Sequence, residues 1–232
     1  MGLSITWLGH ATFLLRSPGG KRLLFDPWIT GNPAAPESAR KLGELDLILV
    51  THGHTDHSGD VVPVARASGA HTIAPVELAD WFETKGLKRV TGMNPGGTLH
   101  LLGLSITMVE ANHSSSVEEN GQRMYAGVAS GYVVSFEDGL TLYFAGDTGI
   151  FAGMRLIGEM YHPKIALLPI GDHYTMGPEQ AAKACELLGV KQVVPMHYGT
   201  FPKLTGTPAT LRTLVEPRGV EVLELAPGET TR

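Results

Sequence analysis

The sequence contains a single cysteine, Cys185. One cysteine excludes a disulfide within the chain and fits a reducing compartment. Cys185 lies in the segment 180–188, whose apolar residues recur at helical spacing, so we predict a packed, unreactive thiol rather than a nucleophile. The segment Gly2 to Trp7 also lacks the basic start of a signal peptide. We therefore expect a cytoplasmic protein.

Long apolar runs and basic clusters are missing as well. No segment approaches the roughly 20 apolar residues that a membrane-spanning helix needs. The chain has 18 Lys and Arg against 23 Asp and Glu, a net charge of -5, and no Lys/Arg cluster. This balance argues against nucleic acid and anionic membranes as partners and favours a small-molecule substrate. It leaves assembly into a homo-oligomer open.

The 232 residues, 43% of them hydrophobic, suffice for a core, and no flexible linker interrupts them. We predict one domain over residues 1–232. The first half predicts a strand at 3–8 with its hairpin partner at 21–25, a loop at 27–36, a strand at 45–50, a helix at about 60–68, a strand at 71–74 and a helix at 75–85. The second half predicts two strands within 98–110, a loop at 114–124, strands at 131–137, 140–145, 165–170, 192–196 and 220–225, and helices at 151–161, 178–188 and 208–215. Two such halves predict an α/β fold in which two sheets pack face to face with helices outside.

One short polar stretch follows the buried strand at 45–50. It has the pattern His52-x-His54-x-Asp56-His57. Alternate residues of an extended segment point to one side, so we expect the first three to lie together, with His57 where a helix begins. The stretch is either a solvated loop or a metal site. Three imidazoles and a carboxylate favour the metal site, because these are usual ligands of Zn, Mn, Fe and Ni.

Further polar residues stand where other apolar runs stop. They are His113, Asp147 and His197, each at the end of a predicted strand. Ligands placed at several strand ends form a preorganised pocket on rigid elements. The sequence thus predicts a metal site that draws on more than one strand.

With these residues the chain resembles the hydrolases of the metallo-β-lactamase fold. Within them it is similar to uncharacterised metal-dependent hydrolases related to L-ascorbate-6-phosphate lactonase, and more distantly to N-acyl-phosphatidylethanolamine phospholipase D. The closer similarity rests on four segments, 7–12, 26–28, 171–178 and 195–202. The resemblance implies a four-layer αβ/βα sandwich, with two mixed β-sheets flanked by helices.

The resemblance also implies a centre with two divalent ions. His52, His54 and His113 would hold the first, Asp56, His57 and His197 the second, and Asp147 would bridge them. Seven donors exceed the four of a tetrahedral structural zinc site. Two ions about 3.5–4 Å apart can share a hydroxide, which would be the nucleophile. We expect Zn or Mn, and the ligands also suit Fe or Ni.

Asp56, Asp147 and His173 are the candidate catalytic residues. His173 lies in a glycine-containing loop before the helix that starts at Pro178, where it would bind an anionic substrate or protonate a leaving group. The alternative is an exposed loop histidine without a role.

Four further residues have a predicted place near the centre. His10 is either a pocket residue beside the metals or a structural histidine at a strand end. Asp26 either orients a ligand imidazole or serves only in the turn before Pro27. Tyr198 and Lys203 follow His197 and are expected to line the rim of the pocket.

These residues predict a metal-dependent hydrolase that acts on a small anionic substrate, with a sugar-lactone phosphate as the first expectation. A phosphodiester is the alternative substrate, and a metal-binding or ligand-sensing module is the alternative outside enzymes. His54 stands where oxygen-reducing relatives carry Glu, and Asp147 where antibiotic-degrading relatives carry Cys. The complete ligand set argues against a sensing module.

Overall fold

The computed structural model describes residues 2–231, so the ends of the predicted 1–232 domain, Met1 and Arg232, lie outside the described residues. Contacts divide the chain into two compact units. Unit 1 combines the segment that ends at Asn94, the segment Ser114–Ala129 and the segment that begins at Ala226. Unit 2 combines Pro95–His113 and Ser130–Leu225. That the chain is one domain stays a prediction.

Unit 1 contains a six-stranded mixed sheet in the order β1-β2-β3-β4-β5-β6. The strands are β1 Ser4–Trp7, β2 Phe13–Arg16, β3 Arg22–Phe25, β4 Leu47–Leu49, β5 His71–Pro75 and β6 Val90–Met93. The first three pair antiparallel, and β3 to β6 pair parallel. Parallel strands place their carboxyl ends at one edge, so the segments after β3 and β4 lie side by side.

The predicted pairing of 3–8 with 21–25 is wrong. β1 pairs with β2, which the sequence prediction missed, and the turn at 17–20 joins β2 to β3. The chain reverses after β1 because Gly9 and His10 both adopt positive φ, at 93° and 56°. Two consecutive residues of positive φ suit a tight hairpin, and histidine is an uncommon residue there. The turn was therefore not recognised.

Helices cover the parallel part of the unit 1 sheet. They are a 3-10 helix Glu37–Lys41, α1 Thr55–Ser58, α2 Val61–Ser68 and α3 Val76–Thr84. α2 and α3 match the predicted helices, while α1 begins earlier than expected. Ile48 of β4, Leu78 and Phe82 of α3 belong to one buried apolar cluster. Burial of apolar surface of this kind is the main stabilising contribution to such a unit.

The predicted loop at 114–124 is wrong, because it forms a hairpin in unit 1. Its strands are β9 Ser116–Glu119 and β10 Gln122–Tyr125, paired antiparallel. Asn120 and Gly121 join them with φ of 52° and 74°. Asn-Gly is the preferred pair for a two-residue turn with positive φ at both positions, so the signal was present in the sequence.

Unit 2 contains a seven-stranded mixed sheet in the order β15-β14-β13-β12-β11-β8-β7. The strands are β7 Thr98–Leu101, β8 Leu104–Glu110, β11 Ser130–Ser135, β12 Thr141–Phe144, β13 Ile165–Pro169, β14 Gln192–Met196 and β15 Glu221–Val222. The helices are α4 Met154–Tyr161, α5 Pro178–Leu188, α6 Pro208–Val215 and a 3-10 helix Glu216–Arg218. β15 is shorter than the predicted strand at 220–225, and the 3-10 helix Glu216–Arg218 was not predicted. The other elements lie where they were predicted.

The three α-helices of unit 2 share a buried cluster with its sheet. Met154 of α4, Cys185 of α5 and Leu211 of α6 belong to this cluster, together with Leu168 and Val193 of the strands. Burial raises the pKa of the Cys185 thiol to about 12. The cysteine is therefore a packed, protonated core residue, as predicted. Among residues 2–231, no helix is long and apolar enough to span a bilayer.

Candidate metal centre

The polar stretch 51–57 of unit 1 follows the buried strand β4 and lies at the end of the sheet. Thr51, His52 and Gly53 leave the strand fully buried, His54 precedes α1, and His57 lies within α1. His52 Nε2 and His54 Nδ1 are 3.0 Å apart, and the rings of His52 and His57 have their centroids 4.2 Å apart. Unit 1 thus brings the three predicted ligand imidazoles close together, with His52 and His54 in the segment before α1 and His57 within it.

Asp26 lies at the end of β3, beside these imidazoles, and is fully buried. Its Oδ2 accepts a hydrogen bond from His57 Nδ1 at 2.8 Å and another from Thr51 Oγ1 at 2.7 Å. Its Oδ1 accepts the Thr51 amide at 2.8 Å. Burial raises the pKa of the Asp26 carboxyl, and the hydrogen bonds from His57 and Thr51 act in the opposite direction. Three donors around one carboxyl keep it in the acceptor role.

The Asp26 network also determines which ring nitrogens point away from it. His57 Nδ1 carries its proton toward Asp26, which leaves Nε2 with a lone pair. Thr51 Oγ1 gives its only proton to Asp26, so at 3.0 Å it accepts from His52 Nδ1, and His52 Nε2 is likewise left with a lone pair. Orientation of ligand imidazoles by a carboxylate is characteristic of metal sites. Thr51 was not among the predicted site residues.

His10 lies in the tight turn between β1 and β2 and is fully buried. Its Nε2 is 3.1 Å from Asp56 Oδ2, and its ring contacts that of Trp28 edge-on at 5.2 Å. One ligand atom each of His10, Asp56 and His57 lies within 4.8 Å of the other two. The structure therefore places His10 beside the predicted ligands in unit 1. A role near the metals stays a prediction.

Unit 2 brings its three predicted ligands to one edge of its sheet. Asp147 follows β12, His197 follows β14 and His113 follows β8. Both histidines approach the same carboxylate oxygen: His197 Nε2 lies 3.1 Å and His113 Nε2 3.6 Å from Asp147 Oδ2. Asp147 is 3% exposed and His197 is 1% exposed. Two imidazoles thus converge on one buried carboxylate oxygen. That Asp147 bridges two metals stays a prediction.

Two local features hold the unit 2 ligands in place. The buried Thr148 accepts the Asn112 amide at 2.9 Å with its Oγ1, and the Gly149 amide donates to the Asn112 carbonyl at 3.1 Å. These bonds tie the segment of His113 to that of Asp147. Gly171 packs against the backbone of His197, where an added Cβ would stand 2.0 Å from the carbonyl oxygen. The sequence prediction identified neither Thr148 nor Gly171.

The predicted substrate residues of unit 2 are less buried. His173 is exposed, and its ring contacts that of Tyr174 edge-on at 4.4 Å. Lys203 is also exposed, with its Nζ 5.9 Å from the Tyr174 ring. Tyr198 is half-buried, and burial raises its pKa to about 12, which keeps the phenol protonated at neutral pH. Asp172 and His173 both have positive φ, an uncommon backbone conformation for these residues.

The donors of both units suit divalent ions. Every predicted ligand offers an imidazole nitrogen or a carboxylate oxygen, and no thiol takes part, since Cys185 is in the core of unit 2. Within unit 1, ligand atoms of Asp26, His52 and His57 also lie within 4.8 Å of one another. Such nitrogen and oxygen sets match Zn, Mn, Fe and Ni. The residues present therefore fit the metals that the sequence suggests.

Comparison with known proteins identifies the family. Residues 21–198 match the β-lactamase superfamily domain. The chain is 49% identical to a UPF0173 metal-dependent hydrolase of Koribacter versatilis, over 99% of this chain and 97% of that protein. It is 47% identical to a UPF0173 metal-dependent hydrolase of Methanopyrus kandleri, over 98% of this chain and 99% of that protein. The chain belongs to the UPF0173 metal-dependent hydrolases of the β-lactamase superfamily.

A solved structure extends this assignment to the fold. The structure of Igni18, a metallo hydrolase from Ignicoccus hospitalis, superposes with a TM-score of 0.88 at 39% identity, over 99% of this chain and 97% of that one. The predicted family and the predicted α/β fold class with two mixed sheets and helices are therefore confirmed. The roles of individual residues in this UPF0173 chain stay predictions.

Proposed function

We propose that this UPF0173 chain is a dinuclear metal-dependent hydrolase of a small anionic substrate. The metals would be two divalent ions, Zn or Mn first and Fe or Ni second. The first ion takes His52, His54 and His113; the second takes Asp56, His57 and His197; Asp147 joins both. The observation that carries the proposal is the approach of two imidazoles, from His113 and His197, to one buried carboxylate oxygen of Asp147.

In this proposal the ions and the residues of the chain have different roles. When bound, two divalent ions supply Lewis acidity and a water acidic enough to attack at neutral pH. Asp26 orients His57 directly and His52 through Thr51, so that both present Nε2. His10 Nε2 lies 3.1 Å from Asp56 Oδ2, and in our proposal it orients that carboxylate. No serine or cysteine nucleophile is needed, in agreement with the buried, protonated Cys185.

The substrate proposal rests on the exposed groups of unit 2. His173 and Lys203 are both exposed and both contact the Tyr174 ring. In our proposal they bind the anionic group of the substrate, and His173 donates a proton to the leaving group. The phenol of Tyr198 is protonated at neutral pH and can donate a hydrogen bond. A sugar-lactone phosphate, with one anionic group and one hydrolysable ester, meets these requirements. The expected location is cytoplasmic.

A substrate panel tests this function. Lactones with and without a phosphate, a phosphodiester and a thioester are offered to protein loaded separately with Zn and with Mn. We expect the phosphorylated lactone to be cleaved fastest. Cleavage of the phosphodiester alone would replace the lactonase proposal with a phosphodiesterase. Metal-loaded protein that cleaves none of them would favour a sensing module. Asp147→Asn, purified in parallel, reports any contaminating hydrolase.

A further inference from the structure

The ligand loop of unit 1 contains a glycine between His52 and His54. Gly53 is buried, and an added Cβ would stand 2.9 Å from both the Ala126 Cβ and the Ser116 carbonyl oxygen. Distances below 3.0 Å are not tolerated by real side chains without a shift of the neighbour. The hairpin β9–β10 therefore packs directly on the loop that spaces these two imidazoles.

Two serine hydroxyls hold the backbone of Gly53, one at its amide and one at its carbonyl. Ser115 Oγ accepts the Gly53 amide at 3.2 Å and donates to the Ala126 carbonyl at 3.0 Å. Ser58 Oγ donates to the Gly53 carbonyl at 2.9 Å and lies 3.1 Å from the His54 carbonyl. Both hydrogen-bonding groups of this residue are thus satisfied by side chains rather than by a strand partner. Any other conformation of this buried segment would leave the Gly53 amide or carbonyl without a partner, which disfavours it.

The hairpin that carries Ser115 is itself fixed to the unit 1 helices. Glu119 Oε2 at its turn accepts a hydrogen bond from Trp81 Nε1 of α3 at 2.8 Å, and its Oε1 pairs with Lys85. Val117 and Ala126 belong to the buried cluster that contains α2 and α3. Ser115 therefore links the ligand loop to a rigid part of unit 1.

We propose that Ser115 is a positioning residue of the metal centre, which sets the spacing of His52 and His54 through the backbone of Gly53. It contacts neither substrate nor metal. Loss of its hydroxyl leaves the buried Gly53 amide without its acceptor, and the two imidazoles lose a fixed separation. Loss of a group that hydrogen-bonds a ligand directly lowers metal affinity by about 10–100-fold. Because Ser115 acts through the backbone of Gly53, we expect a loss in the lower part of this range. This inference rests on the proposed metal centre.

The test compares Ser115→Ala with a matched variant, Ser68→Ala. Ser68 Oγ also donates to a backbone carbonyl, Val64 at 2.8 Å, and accepts a backbone amide, Ala70 at 3.3 Å, but at the end of α2 away from the ligand loop. Zinc dissociation constants are measured by competition with a chromophoric chelator, and the melting temperature is measured on metal-free protein.

We expect both variants to melt at a similarly lowered temperature when metal-free, while only Ser115→Ala loses zinc affinity, by tenfold or more. Ser58→Ala is the second variant and should lose affinity in the same direction, which keeps the test available if Ser115→Ala does not fold. Zinc affinity of Ser115→Ala within twofold of the wild-type value would overturn the inference. If Ser115→Ala does not fold, the same result for Ser58→Ala would overturn it. Failure of the wild-type chain to take up zinc or manganese would instead contradict the metal centre itself, and the inference would fall with it.

Discussion

Asp26→Asn is the most direct test of the hydrogen bonds that orient the predicted ligand imidazoles. The side chain keeps its size, and one of its two oxygens becomes an NH₂ group. In the structure that carboxyl accepts from His57 Nδ1, Thr51 Oγ1 and the Thr51 amide, at 2.8, 2.7 and 2.8 Å. Either orientation of the Asn amide directs its NH₂ at one or two of these donors. At least one buried donor then loses its acceptor.

The magnitude follows from two opposing contributions. A hydrogen bond to a charged group contributes about 1.5–3 kcal/mol, and Asn loses at least one. Asn also removes the cost of burying a charge, the same cost that raises the pKa of Asp26. We therefore expect the metal-free protein to lose only about 1–2 kcal/mol of unfolding free energy. Metal affinity should fall further, by about 10–100-fold, because His52 and His57 no longer have a fixed tautomer.

The assay measures zinc affinity by chelator competition and unfolding of the metal-free protein in urea. Asp46→Asn is the matched control, since Asp46 accepts the Arg22 amide at 2.9 Å in the same unit but contacts no predicted ligand. It should leave zinc affinity unchanged. Zinc affinity of Asp26→Asn equal to that of the wild type would refute the assignment of Asp26 as the residue that orients the imidazoles.

Four further predictions concern unit 2. Asp147→Asn should remove most hydrolytic activity while circular dichroism shows an intact fold; full activity would contradict the bridging role. His173→Ala should lower kcat or raise KM with metal content unchanged, whereas the exposed His100→Ala should change neither; loss of metal from His173→Ala would contradict its assignment to substrate. Cys185 should react with thiol reagents only after unfolding, and rapid labelling of the native protein would contradict its burial. The pKa of the Cys185 thiol is about 12 in the folded protein against an ordinary value of 9.0. Because the unfolded chain therefore loses the thiol proton at lower pH, the free energy of unfolding should fall as pH rises above 9.

Most of the fold could be predicted because its segments follow simple periodicities. The bounds of α5, β14 and α6 agree with the pattern of apolar residues, with Pro at the start of both helices. The hairpin β11–β12 followed from Asp138-Gly139. β2 was missed because the turn before it relies on a histidine in a left-handed conformation. β6 was missed because Val90–Met93 is short and contains Gly92.

The sequence predicts candidate ligands but not the residues that hold them in place. The candidate ligands stood out because several imidazoles and carboxylates lie at strand ends, and the structure brings them together within each unit. Thr51, Ser58, Ser115 and Thr148 were not, since an isolated hydroxyl carries no spacing signal and its role depends on which backbone groups the fold brings to it. The exposed positions of His173 and Lys203 likewise follow from loop conformation rather than from pattern.

Metal content measured on the purified chain tests the central claim most directly. Protein loaded with excess Zn or Mn is freed of unbound ion and analysed by elemental mass spectrometry together with quantitative amino-acid analysis. We expect close to two ions per chain, and close to one or fewer in Asp147→Asn, because both ions would share this carboxylate. One ion or none in the wild-type chain after supplementation with either metal would contradict a dinuclear centre.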